Sequence, residues 1–456
     1  MNSFQWIKKI YRNSLTRKIR RVLFHLFNFF YLPLLYHSCN SRLRKLPKET
    51  QIFLMTRGDF GTILVLLNYV HCWEEKRGKT CLVVLTYHQE AASRLAQIIC
   101  PNTEIVSPGK IGLFALKTFR EDIVHFQTFS RVYARLAVDY PNALYIYSQG
   151  SSPRTKADFS PYIPFFDRAL DCVDPSTPKY FINSYIKTRY ILDYNQDIYL
   201  DMVRLHYTTE LSKPRVFAPH LLDQLKEKMS LRGSYVVLNI SCRDNMLSHN
   251  RKRIFQTEKF NRSIEYLINL GYTVVIQGRK EQPLFAKRKG LIDYSRSVYC
   301  SPENDLLLYS GCSFAIMSKS GPENFGTLCN IPILGVDYVE FPSMQPNLKM
   351  RFFPKHMRNS KTGRYIPWKE WLKEPFYFDI GENKLNPAIE YVGMNADELL
   401  AAVKEFVLLL NKSPAEWENY TPLQSSFKKE LTPLHVDLFH IKGVPCDAYL
   451  ASSKFA

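Results

Sequence analysis

Four apolar segments decide the fold: YVVLNIS (235–241), TVVIQG (273–278), CSFAIMS (312–318) and IPILGVD (331–337). All four are short and rich in β-branched or aromatic residues, which is typical of buried strands. Helix-like patterns separate them. The one over residues 256–270 ends at Gly271, a common helix stop signal, and the one over 301–311 has Ser301 as its expected N-cap. Strands that alternate with helices predict a parallel sheet covered by helices, which is a Rossmann-like α/β domain.

The first half of the chain repeats this alternation in four more strand-like segments: QIFLMT (51–56), CLVVLTY (81–87), TEIVS (103–107) and ALYIYS (143–148). A chain of 456 residues is also longer than one ordinary hydrophobic core requires. We therefore predict an α/β protein of two Rossmann-like domains facing across a cleft, the first over 49–215 and the second over 216–411. Residues 412–456 form a tail that we expect to pack back on the first domain.

The N-terminal segment, residues 1–48, carries much of the net charge of +19. It contains eleven Lys or Arg residues and no Asp or Glu, and residues 4–36 mix these cations with aromatic side chains. Its apolar run, VLFHLFNFFYLPLLY (22–36), is shorter than the roughly 20 residues that a membrane-spanning helix needs. These features predict a membrane-associating helical segment that lies on an anionic surface. The alternatives are a helix packed on the protein itself and nucleic-acid binding by the basic tail.

Missing motifs argue against whole classes of function. The sequence has no GxxxxGK[ST] loop and no GxSxG motif, which argues against a P-loop ATPase and an α/β-hydrolase. It has no Asp-x-Asp motif either, so we expect no metal ion and no other cofactor at a diphosphate site. The ten cysteines form no CxxC pair. Several of them lie in apolar runs, which fits buried thiols in a reducing, cytoplasmic compartment: Cys81, Cys242, Cys312 and Cys329.

The loop after the first strand is the first candidate site. This tight loop, RGDFG (57–61), places Asp59 between a strand and a helix that is expected to start at Thr62. Arg57, Gly58, Gly61 and Thr62 lie around Asp59 on the acceptor side. Backbone N–H groups at a helix start favour anionic ligands. A carboxylate at this position can act as a general base on a sugar hydroxyl. The alternative is that Asp59 only caps the helix that follows.

Three more polar loops follow strands of the second half, and their residues are the predicted donor-binding set: Arg243, Asp244, Gly278, Arg279, Ser318, Ser320, Gly321, Glu323 and Asn324. Ligands of parallel α/β sheets bind at the carboxyl ends of the strands. Arg can bind a diphosphate through two hydrogen bonds, and an acidic residue can hold ribose hydroxyls. Surface salt bridges and a generic Gly-Pro turn are the alternatives.

Residues 235–337 resemble a bacterial family of glycosyltransferases that is defined from genome sequences. The matching features are Arg243-Asp244, HNRKR (249–253), LINLGYTVVIQGR (267–279), IDYSRS (292–297), Asp305 and SKSGPENFGTLCNIPIL (318–334). The chain departs from the family where Arg253 is followed by Ile254 instead of Asn. The first half is more loosely similar to heptosyltransferases, whose first strand ends in a Gly-Asp loop, matched here by Gly58-Asp59.

This resemblance implies the GT-B glycosyltransferase architecture, with a nucleotide-sugar on the second domain and Asp59 as the catalytic base. Together with the N-terminal segment, it leads us to expect a hexosyl- or heptosyl-type transferase acting on a lipid-linked or cell-surface glycan. The expected location is peripheral, on the inner face of the bacterial inner membrane, with no nucleic-acid partner. A non-catalytic scaffold with this fold and a secreted bacterial protein that glycosylates a host target are the alternatives.

Overall fold

The computed structural model describes residues 34–55, 60–84, 89–107, 136, 139–140, 144–147, 190–192, 214–240, 256–278, 284–318, 321–338, 349–371, 389–431 and 443–452. Within these ranges the chain folds into an α/β protein with two larger sheets and one small sheet. The strands of the first sheet precede those of the second along the chain. The predicted α/β fold with parallel sheets is therefore confirmed.

The first sheet has the order β3-β2-β1-β4-β5. Its strands are β1 (Gln51–Met55), β2 (Thr80–Val84), β3 (Glu104–Val106), β4 (Leu144–Tyr147) and β5 (Tyr190–Leu192). β1, β2, β3 and β4 pair in parallel, whereas β5 runs antiparallel to β4. The four strands predicted in this half of the sequence are all present.

A helix over residues 34–43, α1, packs against this sheet. It buries Leu35 and Cys39, and its Arg42 donates to the carbonyl oxygen of Ile105 at 3.0 Å, beside β3. The end of the predicted membrane-associating segment thus contacts the protein itself, which is one of the alternatives above. Residues 1–33 lie outside the described residues. In the part of the chain that is described, no helix is long and apolar enough to cross a bilayer.

Two longer helices cover the first sheet, α2 (Phe60–Arg77) after β1 and α3 (Gln89–Ile99) after β2. Their apolar faces bury Leu64, Leu67 and Leu95 against the strands. Each strand therefore passes directly into a helix that packs back on the sheet. This is the βαβ arrangement expected of a Rossmann-like unit.

The second sheet has the order β15-β11-β10-β9-β6-β7-β8, and its neighbouring strands pair in parallel. Its strands are β6 (Tyr235–Asn239), β7 (Thr273–Gln277), β8 (Leu291–Asp293), β9 (Phe314–Met317), β10 (Ile333–Tyr338), β11 (Met350–Pro354) and β15 (Val444–Pro445). The central strands are buried along their whole length. This burial explains why their sequences are continuously apolar rather than alternating.

The helices of this half are α4 (Pro219–Lys228), α5 (Asn261–Asn269), α6 (Pro302–Gly311) and α7 (Glu323–Leu328). Ser301 caps α6 as predicted, because its Oγ accepts a hydrogen bond from the Asn304 N–H at 3.2 Å. Gly271 follows α5 with a φ of 88°, a left-handed conformation that favours glycine. The single helix predicted over 256–270 is instead a 3-10 turn, Thr257–Phe260, that continues into α5.

A small antiparallel sheet extends from the carboxyl edge of the second sheet. It has the order β13-β12-β14 and contains β12 (His356–Asn359), β13 (Tyr365–Ile366) and β14 (Ile389–Val392). β12 begins just after β11 ends, with Lys355 alone between them. A short helix, α8 (Trp368–Trp371), follows β13.

The C-terminal part contains α9 (Ala396–Leu409), α10 (Pro414–Trp417), α11 (Pro422–Leu431) and α12 (Asp447–Leu450). We expected residues 412–456 to pack on the first domain, but where they are described they join the second sheet. β15 pairs in parallel with β11, which would otherwise be an open edge. Phe427 of α11 also packs against Phe352 of β11, with ring centroids 6.4 Å apart. The described part of residues 412–456 thus covers the apolar edge of β11.

Candidate functional site

The strand order of the second sheet reverses between β6 and β9. From β6 the chain proceeds to β7 and β8 on one side, and then returns to β9, β10 and β11 on the other. The carboxyl ends of β6 and β9 consequently meet, and the Ser318 N–H donates to the Asn239 carbonyl oxygen at 3.0 Å. In parallel α/β sheets a switch point of this kind opens a crevice in which ligands bind. This edge of the sheet is the candidate functional site.

The described members of the predicted donor-binding set lie along this edge. Ser318 directly follows β9 and is buried, and Gly321, Glu323 and Asn324 lead into α7. Gly278 directly follows β7, one strand beyond β6 on the same edge. The structure therefore places the first residues of two of the three predicted donor loops at the same end of the sheet, on either side of β6.

The remaining predicted residues lie outside the described residues: Arg57, Gly58, Asp59, Arg243, Asp244, Arg279 and Ser320. Their places in the chain are nevertheless bounded by described neighbours. Arg279 follows Gly278 directly, and the segment with Arg243 and Asp244 begins just after Ile240. On the acceptor side, Asp59 directly precedes Phe60, the first residue of α2.

Gly61, which we predicted in the loop over 57–61, and Thr62, the predicted helix start, both lie in the first turn of α2. The helix begins two residues before the expected Thr62 start, at Phe60. A glycine is tolerated there because the N–H groups of the first turn have no partner within the helix.

The turn before α7 is held by its own polar groups. The Asn324 backbone N–H and side-chain Nδ2 both donate to the Gly321 carbonyl oxygen, each at 3.1 Å. Asn324 therefore braces the turn, and its role toward a donor stays a prediction. Glu323 is fully buried beside Tyr338, where burial and the neighbouring Glu323 carboxylate both raise the pKa of the phenol. A ribose could reach Glu323 only if this turn opened.

A buried polar network lies under the ends of β6 and β7. The Gln277 side-chain oxygen accepts hydrogen bonds from Asn239 Nδ2 and, at 2.6 Å, from the Tyr309 hydroxyl. Asp305 of α6 adjoins this group, and burial raises the pKa of its carboxyl to about 7, while hydrogen bonds from Gln277 and Tyr294 act in the opposite direction. The network connects the ends of two paired strands, β6 and β7, to helix α6.

A second polar group lies at the end of β10. The register between β10 and β11 shifts at Asp337, which has a φ of 51°, so the strand bulges there. The Asp337 Oδ1 accepts from the Met394 N–H at 2.8 Å, and Gly393 leaves no room for a side chain beside the carboxylate. Burial raises the pKa of Asp337, and the charge of Lys355 opposes that shift.

Sequence reasoning did not identify these two groups. Asp305 was quoted only as part of the family pattern, and Asn239 and Gln277 look like ordinary polar ends of buried strands. A polar residue that ends a continuously apolar strand is one signal that could have indicated them, because such a group needs a buried partner. Asp337 carries the same signal, because it ends the apolar segment IPILGVD (331–337), but its partners are distant in sequence.

The described residues contain no group of three or more His, Cys, Asp or Glu side chains arranged to hold a metal ion. The thiols of Cys81, Cys312 and Cys329 are buried, and burial raises the pKa of each. They are therefore packed as uncharged core residues, as the sequence predicted. Cys242, predicted to be buried with them, lies outside the described residues.

No protein-family model and no curated protein matches the chain. Solved structures similar to it include a glycosyl transferase of family 9 from Veillonella parvula, at 12% identity and a TM-score of 0.40, covering 80% of this chain and 98% of that one. E. coli heptosyltransferase WaaC with ADP is 13% identical, with a TM-score of 0.31 and coverage of 67% and 91%. The wall teichoic acid polymerase TagF is 12% identical, with a TM-score of 0.33 and coverage of 74% and 80%. A heptosyltransferase, the class that the first half of the sequence resembles, is thus among the similar structures.

Proposed function

We propose that the protein is a glycosyltransferase that moves a sugar from a nucleotide-sugar donor to a lipid-linked or cell-surface glycan. The observation that carries this proposal is the switch point between β6 and β9, where Ser318 is bonded to Asn239. Two polar loops that the sequence marks for a donor begin at this point. A nucleotide needs such a crevice at the carboxyl ends of parallel strands.

The donor diphosphate is assigned to the loops after β6, β7 and β9. Arg243 and Arg279 follow β6 and β7, where guanidinium groups can form paired hydrogen bonds to phosphate oxygens. Ser318, Ser320 and Gly321 supply hydroxyl and backbone donors. This arrangement stabilises the leaving diphosphate by fixed positive charge and hydrogen bonds, so the reaction is proposed to proceed without a metal ion.

The acceptor is assigned to the first domain. Asp59 lies between β1 and α2, at the carboxyl edge of the first sheet, and would take the proton from the attacking hydroxyl. The basic and aromatic N-terminal residues favour an anionic membrane as the place of reaction. We therefore propose a peripheral position on the inner face of a bacterial inner membrane.

A thermal-shift screen of UDP-, GDP-, ADP-, dTDP- and CMP-sugars tests the donor assignment. One nucleotide class should raise the Tm of the wild type, by an amount that grows with the logarithm of its concentration. Arg243→Ala should lose this response. Arg232→Ala, an exposed arginine at the opposite end of β6, should keep it. The proposal is overturned if no class stabilises the wild type at millimolar concentration.

A further inference from the structure

Arg215 lies between the two sheets in sequence and contacts both halves of the structure. It follows β5 and precedes α4. Its backbone N–H donates to the carbonyl oxygen of Cys329 at 2.8 Å, just beyond the end of α7. This bond ties the connecting segment to the helix that carries the predicted donor loop.

The Arg215 side chain reaches the first domain. Its Nη1 donates to Asn68 Oδ1 of α2 at 2.9 Å, and its Nη2 lies 3.9 Å from Glu75 Oε2, two turns further along that helix. The same Nη1 also lies 3.4 Å from the carbonyl oxygen of Leu328, the last residue of α7. One guanidinium therefore joins α2 of the first half to α7 of the second.

This contact is shielded from solvent. The Arg215 side chain is 16% exposed and Asn68 is 3% exposed. α2 and α7 pack against each other along the same interface. By contrast, the Arg94–Glu303 pair, which joins α3 to α6, has an Arg side chain that is 53% exposed. Ion pairs at exposed positions contribute little, whereas a buried guanidinium with several acceptors fixes geometry.

The two helices that Arg215 joins begin at the two predicted halves of the active site. α2 starts at Phe60, directly after Asp59, and α7 starts at Glu323, directly after the donor turn. Since a helix moves as a rigid unit, a shift of α2 against α7 changes the distance between acceptor base and donor. A misplacement of about 1 Å can reduce a rate by about 100-fold.

We propose that Arg215 is a positioning residue that holds α2 against α7 and so sets the distance between the acceptor base and the donor loop. This inference rests on the proposed function for its effect on turnover. Lysine cannot replace Arg215 here, because a single ammonium cannot reach acceptors on two helices in the fixed geometry of a guanidinium.

A double-mutant cycle tests the contact with Arg215→Lys, Asn68→Ala and the combined variant. Each single variant should lower kcat by about 10–100-fold and leave donor affinity unchanged, because the donor site lies in the second half. The combined variant should be no slower than the worse single variant, since both changes remove one contact. Arg94→Ala is the matched control at the exposed pair and should keep the kcat of the wild type.

Amide hydrogen exchange supplies a measurement that needs no activity. Peptides that cover α2 and α7 should exchange faster in both single variants, while peptides from β6 and β9 stay protected. Unchanged exchange at α2 and α7, or additive effects on kcat, would overturn the positioning role. If no nucleotide-sugar binds the wild type, the glycosyltransferase proposal fails, and hydrogen exchange still decides whether Arg215 holds the two helices together.

Discussion

The guanidinium of Arg351 lies 5.1 Å from the ring centroid of Trp417 and donates from Nη2 to the carbonyl oxygen of that residue at 2.9 Å. Arg351 belongs to β11, and Trp417 ends α10 in the C-terminal part. Both side chains are buried. The contact therefore fastens the C-terminal part to the second sheet through a hydrogen bond and a cation–π interaction.

Arg351→Lys should lower the free energy of unfolding by about 1.5–3 kcal/mol, because a buried charge then loses its charge-assisted hydrogen bond. Urea denaturation measures this change. Arg358→Lys is the matched control, since Arg358 pairs with Glu390 on the exposed face of the small sheet and should be nearly neutral. Equal midpoints for Arg351→Lys and the wild type would show that the contact contributes nothing.

Gly335 lies against the ring of Tyr338, and a Cβ at that position would lie 2.8 Å from Cζ of the ring. Gly335→Ala should therefore force the buried ring aside and destabilise the fold by about 1–3 kcal/mol. The displaced ring neighbours Glu323, so donor-induced stabilisation should also fall. Thermal unfolding with and without the donor measures both effects.

Two variants separate the causes in this experiment. Tyr338→Phe removes the hydroxyl next to Glu323 but keeps the ring, so it should cause little strain and leave donor-induced stabilisation close to that of the wild type. Gly443→Ala meets its nearest atom, Cβ of Met350, at 3.2 Å and should be milder than Gly335→Ala. If Gly335→Ala destabilises the fold no more than Gly443→Ala does, the Tyr338 ring yields to the added Cβ and does not require glycine at position 335.

The sequence predicted the strands well because short, continuously apolar runs such as those of β6 and β9, which alternate with helical patterns, are typical of strands buried in a parallel sheet. It also predicted the Ser301 cap, whose chemistry is local. Contacts between distant residues could not be predicted in the same way. Two examples are the pairing of β15 with β11 and the Asp337–Met394 hydrogen bond. Both join segments that are far apart in the sequence, and no local pattern indicates that these segments meet.

In the candidate site, too, local features could be predicted from the sequence and contacts between distant residues could not. The donor turn follows a recognisable strand, so Ser318 and Gly321 could be placed at a sheet edge from the sequence. The support beneath that edge could not be predicted, because Asn239, Gln277 and Tyr309 come from three separate elements. Helix boundaries were predicted to within about two residues, as the start of α2 at Phe60 instead of Thr62 shows.

Asp305 should make stability depend on pH. Burial raises the pKa of its carboxyl from 3.8 to about 7, so the folded protein holds this proton more tightly than the unfolded chain. The stabilisation by Asp305 is therefore complete below the pKa of this carboxyl in the unfolded chain, 3.8. It is lost as pH rises through the pKa in the folded protein, about 7. Relative to the wild type, Asp305→Asn should gain up to about 1.4 kcal/mol per pH unit across this window.

Urea denaturation at a series of pH values measures this difference. Asp223→Asn, which changes an exposed carboxylate on α4, is the control and should follow the wild type at every pH. A constant difference between Asp305→Asn and the wild type would mean that Asp305 does not exchange a proton on unfolding in this range. The network under β6 and β7 would then be a set of fixed hydrogen bonds.

Asp59→Asn should separate chemistry from donor binding. The amide keeps the size of the side chain but cannot take a proton from the acceptor, so kcat should fall by about 100- to 10,000-fold. Donor-induced stabilisation should remain, because the donor is assigned to the second half of the chain. Glu49→Gln, which changes an exposed carboxylate before β1, is the matched control and should turn over like the wild type. Full activity of Asp59→Asn would show that Asp59 is not the base. If the variant loses both activity and donor-induced stabilisation, Asp59 contacts the donor instead.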